Sequence, residues 1–247
     1  MKSYFTIRPI PLIVSAAFPA PIWRWGGGKV VPMCWFAWYI EGLGRKILVD
    51  TGAIIEQLMA AGFTCLRQVQ SLEQGLGKVG LEPRDVDLVI QTHLHFDHTG
   101  YARKFSKAKF LVQKTELNYH RNPPPLAIDP RTCNKELLDA LNWEVVDGDY
   151  QIEEGLRVLF TPGHTPGTQS VAVETAKGTA MIVGLCSVDE TFLPPETSKD
   201  NLPVFVPGIT NDPLQGYESQ LRITKLADII IPIHEIRFAF TDRVPAV

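Results

Sequence analysis

Short apolar runs alternate along this chain with stretches whose apolar positions recur at helical spacing. The runs at 35–40, 46–49, 86–92, 109–112, 157–160, 170–173, 179–183 and 228–233 are rich in Val, Ile and aromatic residues and predict strands. A first strand is expected over 4–14. Helical spacing predicts helices over 53–61, 71–79, 114–119, 135–141 and 213–226. Gly42 and Gly44 predict a hairpin between the second and third strands. The mixture is an α/β (α+β) pattern. No linker, repeat or low-complexity tract divides it, so one domain over 1–247 is expected.

Two proline-rich segments break the pattern. The stretch 19–32 carries Gly26, Gly27 and Gly28 beside Trp23 and Trp25, and 121–132 carries Pro123, Pro124, Pro125 and Pro130. Loops of this length in a compact domain tend to carry function.

Composition narrows the classes. Hydrophobic residues make up 45% and charged residues 21%, with a net charge of −3, as in an ordinary globular protein. The basic residues are scattered, which argues against nucleic acid and a membrane surface as partners. The apolar N-terminal stretch is interrupted by Arg8, Pro9 and Pro11, so it reads as a strand rather than a secretory leader. Cys34, Cys65, Cys133 and Cys186 have no framework spacing, and a reducing, cytoplasmic setting is expected.

The chemistry concentrates in His93-Leu94-His95-Phe96-Asp97-His98, four potential metal ligands within six residues directly after a strand-like run. Residues two apart on an extended chain share a side. His93 and His95 can therefore grip one ion, while Asp97 and His98 reach a second from the following turn. Three more candidate ligands each follow a run: His164 in Thr161-Pro162-Gly163-His164-Thr165-Pro166-Gly167, Cys186 after 179–183, and His234 after 228–233. Zinc accepts imidazole, thiolate and carboxylate alike. Asp50, at the end of 46–49, reads either as a group orienting a ligand histidine or as a turn residue and helix cap. His120 is expected to face solvent from a helix.

Taken together, the HxHxDH segment, Leu48-Val49-Asp50-Thr51-Gly52, the turn around His164 and the late His234 resemble the metallo-β-lactamase superfamily. The stretches 81–87 and 227–230 resemble its N-acyl homoserine lactonase-like branch. The resemblance implies a four-layer αβ/βα sandwich with metals at one edge between two mixed sheets. It implies two zinc ions, one held by His93, His95 and His164 and the other by Asp97, His98 and His234. There is one departure: the hydrolytic branches usually place a metal-bridging Asp after a Gly at the end of the late strand. Here Gly184-Leu185-Cys186 stands in its place, which makes Cys186 the candidate replacement ligand. A Tyr that often follows that Asp is also missing, since Val188 and Asp189 occupy those positions.

The implied chemistry is attack of a metal-activated hydroxide on a lactone or related cyclic or acyl compound, with Asp97 shuttling the proton. Trp23, Trp25 and Phe36 are candidate substrate contacts; Trp23 and Trp25 read equally as an apolar lid or a homodimer contact. The same ligands would also serve an amidase, lactamase or thioesterase. An iron-dependent oxygenase or a non-catalytic metal-binding module stays open as well.

Overall fold

The computed structural model describes residues 4–19, 30–42, 44–125, 135–193 and 202–246. Trp23, Trp25 and Cys133 lie outside them. Twelve strands are described: β1 Thr6–Pro19, β2 Val30–Gly42, β3 Arg45–Val49, β4 Leu66–Gln68, β5 Leu88–Ile90, β6 Lys109–Gln113, β7 Trp143–Val146, β8 Tyr150–Glu153, β9 Leu156–Phe160, β10 Gln169–Thr175, β11 Gly178–Val183 and β12 Ile229–Pro232. They build one sheet of order β4-β1-β2-β3-β5-β6-β7 and a second of order β12-β11-β10-β9-β8. Both are mixed. In the first, β3, β5, β6 and β7 run parallel, while β1 and β2 are antiparallel. In the second, only β11 and β12 are parallel.

Side-chain alternation on β2 explains the layering. Cys34, Phe36, Trp38 and Ile40 point into a core between the sheets, where they meet Val158, Val171, Val173 and Ile182 of the second sheet. Trp35, Ala37 and Tyr39 point the other way, into a core roofed by Leu58, Leu72, Leu76, Leu117 and Leu138 from the helices. The outer face of the second sheet buries Leu159, Ala172, Met181 and Val183 against Ile223 and Phe192. Layers therefore run helix, sheet, sheet, helix, as the αβ/βα expectation holds.

Local signals set the helices. Leu72–Lys78 begins with a capping box in which Ser71 and Gln74 bond reciprocally. Pro213–Leu226 starts with Pro213 at its first position, and the Asp212 side chain accepts from the Leu214 and Gln215 amides.

The carboxyl ends of β3, β5, β9, β11 and β12 all reach the same edge of the sandwich. Asp50, His93, His164, Cys186 and His234 each follow one of these ends. This is where an open sheet leaves side chains free of the backbone ladder to do chemistry.

Candidate metal centre

The ladder delivers the donors. The amide of Asp50, immediately beyond β3, bonds the Ile90 carbonyl on β5, and the chain then turns with φ 55 at Asp50. That left-handed conformation is one a short polar residue tolerates. It aims the buried carboxylate across the sheet edge. Its Oδ1 accepts the Thr92 amide at 2.8 Å, and its Oδ2 accepts the Thr92 hydroxyl at 2.8 Å and His98 Nδ1 at 2.7 Å. Asp50 thus both turns the chain and contacts His98, while the helix Ile55–Ala60 that follows starts at Ile54 with no side-chain cap.

Beyond β5 the histidines close on one another. One donor atom from each of His93, His95 and His164 lies within 4.8 Å of the others, and the same holds for His93, Asp97 and His98. His93 belongs to both groups. The His98 and His234 rings are 5.2 Å apart, and His234 Nε2 is 3.9 Å from Asp97 Oδ2.

Hydrogen bonds on the far side of each ring decide what the near side offers. His164 Nδ1 donates to the Ile209 carbonyl at 2.6 Å, and His234 Nδ1 to the Cys34 carbonyl at 3.2 Å. His98 Nδ1 faces Asp50. Because the Thr92 hydroxyl donates its proton to Asp50, it accepts from His93 Nδ1 at 3.1 Å. In the neutral rings of His93, His98, His164 and His234, Nδ1 thus carries the proton and Nε2 a lone pair. His93 Nε2 and His164 Nε2 stand 3.1 Å apart, two acceptors facing each other. Such a set of lone pairs, with Asp97 beside it, is satisfied by a cation; the donors fit a divalent metal that favours imidazole.

Electrostatics agree. Burial, reinforced by neighbouring histidines, holds His93 well below its ordinary value and His95 and His234 down to about 3. Burial lowers His164 in the same way. All four favour the neutral imidazole. At His98 burial also lowers the pKa, but the Asp97 and Asp50 charges outweigh it and raise it. Burial alone would raise Asp97; the surrounding imidazoles and a hydrogen bond from Trp35 bring it down to about 2.

Cys186 is buried in the turn after β11, and its neighbour Ser187 accepts the His234 amide at 3.1 Å. Neither of the two tight donor groups includes it. Burial pushes its thiol far up, and the Asp97 charge adds to the effect.

Two expectations are corrected. Phe36 is 4% exposed and packs on Trp38 with ring centroids 4.5 Å apart, so it belongs to the core between the sheets rather than to a substrate surface. His120 does not face solvent: it is buried, and its Nε2 lies 3.0 Å from Glu116 Oε1 one helical turn away. The two residues form an internal pair beside His95, whose ring is 6.0 Å from that of His120.

Three participants carry no role in the sequence reading. Trp35 donates its indole N–H to Asp97 Oδ2 at 2.9 Å. Thr92 links His93 to Asp50. Glu116, on the helix Lys114–Arg121, reaches both histidine-bearing loops. Alternation along β2 already turns Trp35 away from Phe36 and Trp38, a signal for its separate role. Nothing local marks Glu116.

Comparisons with known proteins agree with this geometry. The family model of the metallo-beta-lactamase superfamily matches residues 36–184. An N-acyl homoserine lactonase from a Bacillus species is 31% identical over 210 residues, covering 81% of this chain and 76% of its own. The N-acyl homoserine lactonase of Bacillus thuringiensis is 29% identical over 218 residues, covering 83% and 81%. A solved structure of an N-acyl homoserine lactone hydrolase, with N-hexanoyl-L-homoserine bound at its catalytic metal center, matches with a TM-score of 0.75. Its sequence identity is 25%, and the match covers 99% of this chain and 98% of that one. With the fold, the order of its strand-end histidines and these likenesses in agreement, the chain belongs to the metallo-beta-lactamase superfamily and, within it, to the family of the N-acyl homoserine lactonases.

Proposed function

We propose that this chain is a zinc-dependent hydrolase that opens a lactone, or a related cyclic or acyl small molecule, by adding water to its carbonyl carbon. The observation that carries the reading is the convergence of the histidines, with Nε2 freed for a ligand on His93, His98, His164 and His234 by a bond on the opposite nitrogen. The names of the relatives supply the substrate class: they are lactonases acting on N-acyl homoserine lactones.

His93, His95 and His164 would hold one zinc. Asp97, His98 and His234 would hold a second, with Cys186 as the candidate further ligand. Bound there, zinc supplies a Lewis acid and brings the pKa of water from 15.7 towards ~7, so a nucleophile is available at neutral pH. The protein's own groups do the rest. Asp50 and Thr92 hold the His98 and His93 rings in the tautomer that offers Nε2. Trp35 fixes the Asp97 carboxylate, which stays ionised with a pKa of about 2. In this reading Asp97 takes a proton from the attacking water. The new C–O bond forms, the ring C–O bond breaks, and the proton passes to the leaving oxygen.

The described residues hold no helix long and apolar enough to cross a membrane. The same proposal takes the chain as one hydrolase domain, working on a small molecule in the cytoplasm.

The test is metal analysis of protein purified without added metal, followed by ring opening of N-hexanoyl homoserine lactone in a pH-stat. The expected result is about two zinc per chain and turnover that is lost with the metal in a His93→Ala/His95→Ala variant. Activity in metal-free protein, or iron together with oxygen consumption, would overturn the reading.

A further inference from the structure

We propose that Glu116 is a positioning residue that locks the two histidine-bearing loops together and so sets the metal affinity of the three-histidine site. This rests on reading that site as a metal centre.

One buried carboxylate receives four donors. Oε1 accepts the Leu94 amide at 2.8 Å and His120 Nε2 at 3.0 Å. Oε2 accepts the Thr165 hydroxyl at 2.6 Å and the Gly167 amide at 3.1 Å. Leu94 lies between His93 and His95; Thr165 follows His164. A single side chain therefore bridges the loops that present all three histidines, which are 71 residues apart at their extremes.

The surroundings are shaped for this contact. A Cβ on Gly167 would fall 2.2 Å from the Glu116 amide nitrogen and 2.4 Å from its Cα, so only glycine lets the turn approach the helix. His120 completes the carboxylate's hydrogen bonding from its own helix. Glu116 holds the backbone on either side of the three histidines, and its charge also bears on His95 and His164; Thr165→Val, which keeps that charge, separates the two effects.

A glutamine cannot reproduce the arrangement. Its NH2 group would face a backbone amide, that of Leu94 or that of Gly167, whichever way the side chain turns, leaving one buried donor unpaired even where His120 or the Thr165 hydroxyl adapts.

The test is zinc binding to the full-length chain, measured by competition with a chromophoric chelator, with thermal unfolding of the metal-free proteins alongside. Glu116→Gln is expected to weaken zinc binding roughly 10–100-fold, the usual cost of losing a group that orients a ligand. Thr165→Val removes one of the four bonds while leaving the carboxylate in place, and should weaken zinc in the same direction; Thr165→Ser should restore it. The double variant should lose less than the product of the two single losses, since both act on one network. Leu76→Ala, a core variant on the helix Leu72–Lys78 that touches none of the four bonds to Glu116, should unfold at a lower temperature yet bind zinc as the unaltered chain does.

Zinc affinity within twofold of the unaltered chain in both Glu116→Gln and Thr165→Val would overturn the proposal. So would an equal loss in Leu76→Ala, which would reduce the effect to general destabilisation. A failure of the unaltered chain to bind zinc would strike the metal-centre reading itself, and is told apart by that control.

Discussion

The indole nitrogen of Trp35 lies 2.9 Å from Oδ2 of Asp97, joining an interior position of β2 to the turn after β5 across 62 residues of sequence. The indole also packs edge-on against Phe63, with centroids 5.3 Å apart, so its place is fixed by apolar contact and its N–H is aimed by it. A Trp35→Phe variant keeps most of the packing and removes the donor. The expected outcome is a 10–100-fold lower kcat, the usual scale for a group that orients a ligand, with zinc content little changed. The acidic limb of the pH–rate profile should move upward, because Asp97 loses one of the bonds that hold it ionised. Steady-state kinetics with metal analysis of the same samples checks this; an unchanged profile would separate Trp35 from the chemistry.

Asp50 is the second such group, and its loss should be harsher. Three donors converge on its buried carboxylate, two from Thr92 and one from His98. Asp50→Ala leaves all three without a partner. Breaking a buried, hydrogen-bonded charge pair costs about 3–5 kcal/mol, so the metal-free variant should unfold at a markedly lower denaturant midpoint. On the proposed two-zinc reading, it should also bind one zinc fewer than the unaltered chain. Chemical denaturation with chelator competition measures both, and a midpoint within experimental scatter of the unaltered chain would contradict the expectation.

Acid should destabilise the metal-free protein. His93, His95, His164 and His234 all sit below their ordinary value of 6.5 in the folded chain. Between the folded and ordinary values the unfolded chain binds more protons, so stability falls as pH is lowered. For His95 and His234 that window runs from 6.5 down to about 3. His98 works in the opposite sense: its pKa is raised, so its contribution is complete below 6.5 and fades as pH rises through the folded value. Four histidines oppose one histidine and Glu235, whose burial raises it. The melting temperature of chelator-treated protein is therefore expected to drop between pH 7 and pH 5; a flat or rising trend would count against neutral, buried imidazoles.

Gly163 tests how closely the His164 turn must approach the last helix. Its φ is 135, and a Cβ there would lie 2.4 Å from both the nitrogen and the Cα of Gly216. Neither neighbour is a flexible side-chain tip, so Gly163→Ala must push the turn or the helix aside. Overpacking of this kind costs about 1–3 kcal/mol, and the displaced turn carries His164. Lower thermal stability and weaker zinc binding are expected together. Loss of stability with unchanged zinc binding would show that the turn can move without its histidine.

The donor set was legible in the sequence for a specific reason. Each candidate follows an apolar run, and runs that end at one edge of a sandwich bring their successors together even from 71 positions apart. The long core strands and the helix over 213–226 were readable for the same reason, since buried faces leave a periodic trace. Some strands were not. Leu66–Gln68 is mostly exposed and Tyr150–Glu153 is exposed or half-buried, so neither shows the apolar alternation that marks a strand. Glu116 and His120 were missed because a polar pair on a short helix looks like a solvated face. Only the tertiary fold brings Leu94, Thr165 and Gly167 over it. Phe36 was misassigned because alternation tells which residues share a side, not which side is the interior.

The carboxyl-end convergence of β3, β5, β9, β11 and β12 divides the sandwich into a working rim and an idle one. The tight connections on the idle rim, between β2 and β3, β8 and β9, and β10 and β11, contribute no donor to either histidine group. Tags, insertions or a permuted chain start should be tolerated there at the expense of stability alone. The same changes on the working rim would alter chemistry first, which makes the idle rim the natural handle for tethering this protein to a surface or to another domain.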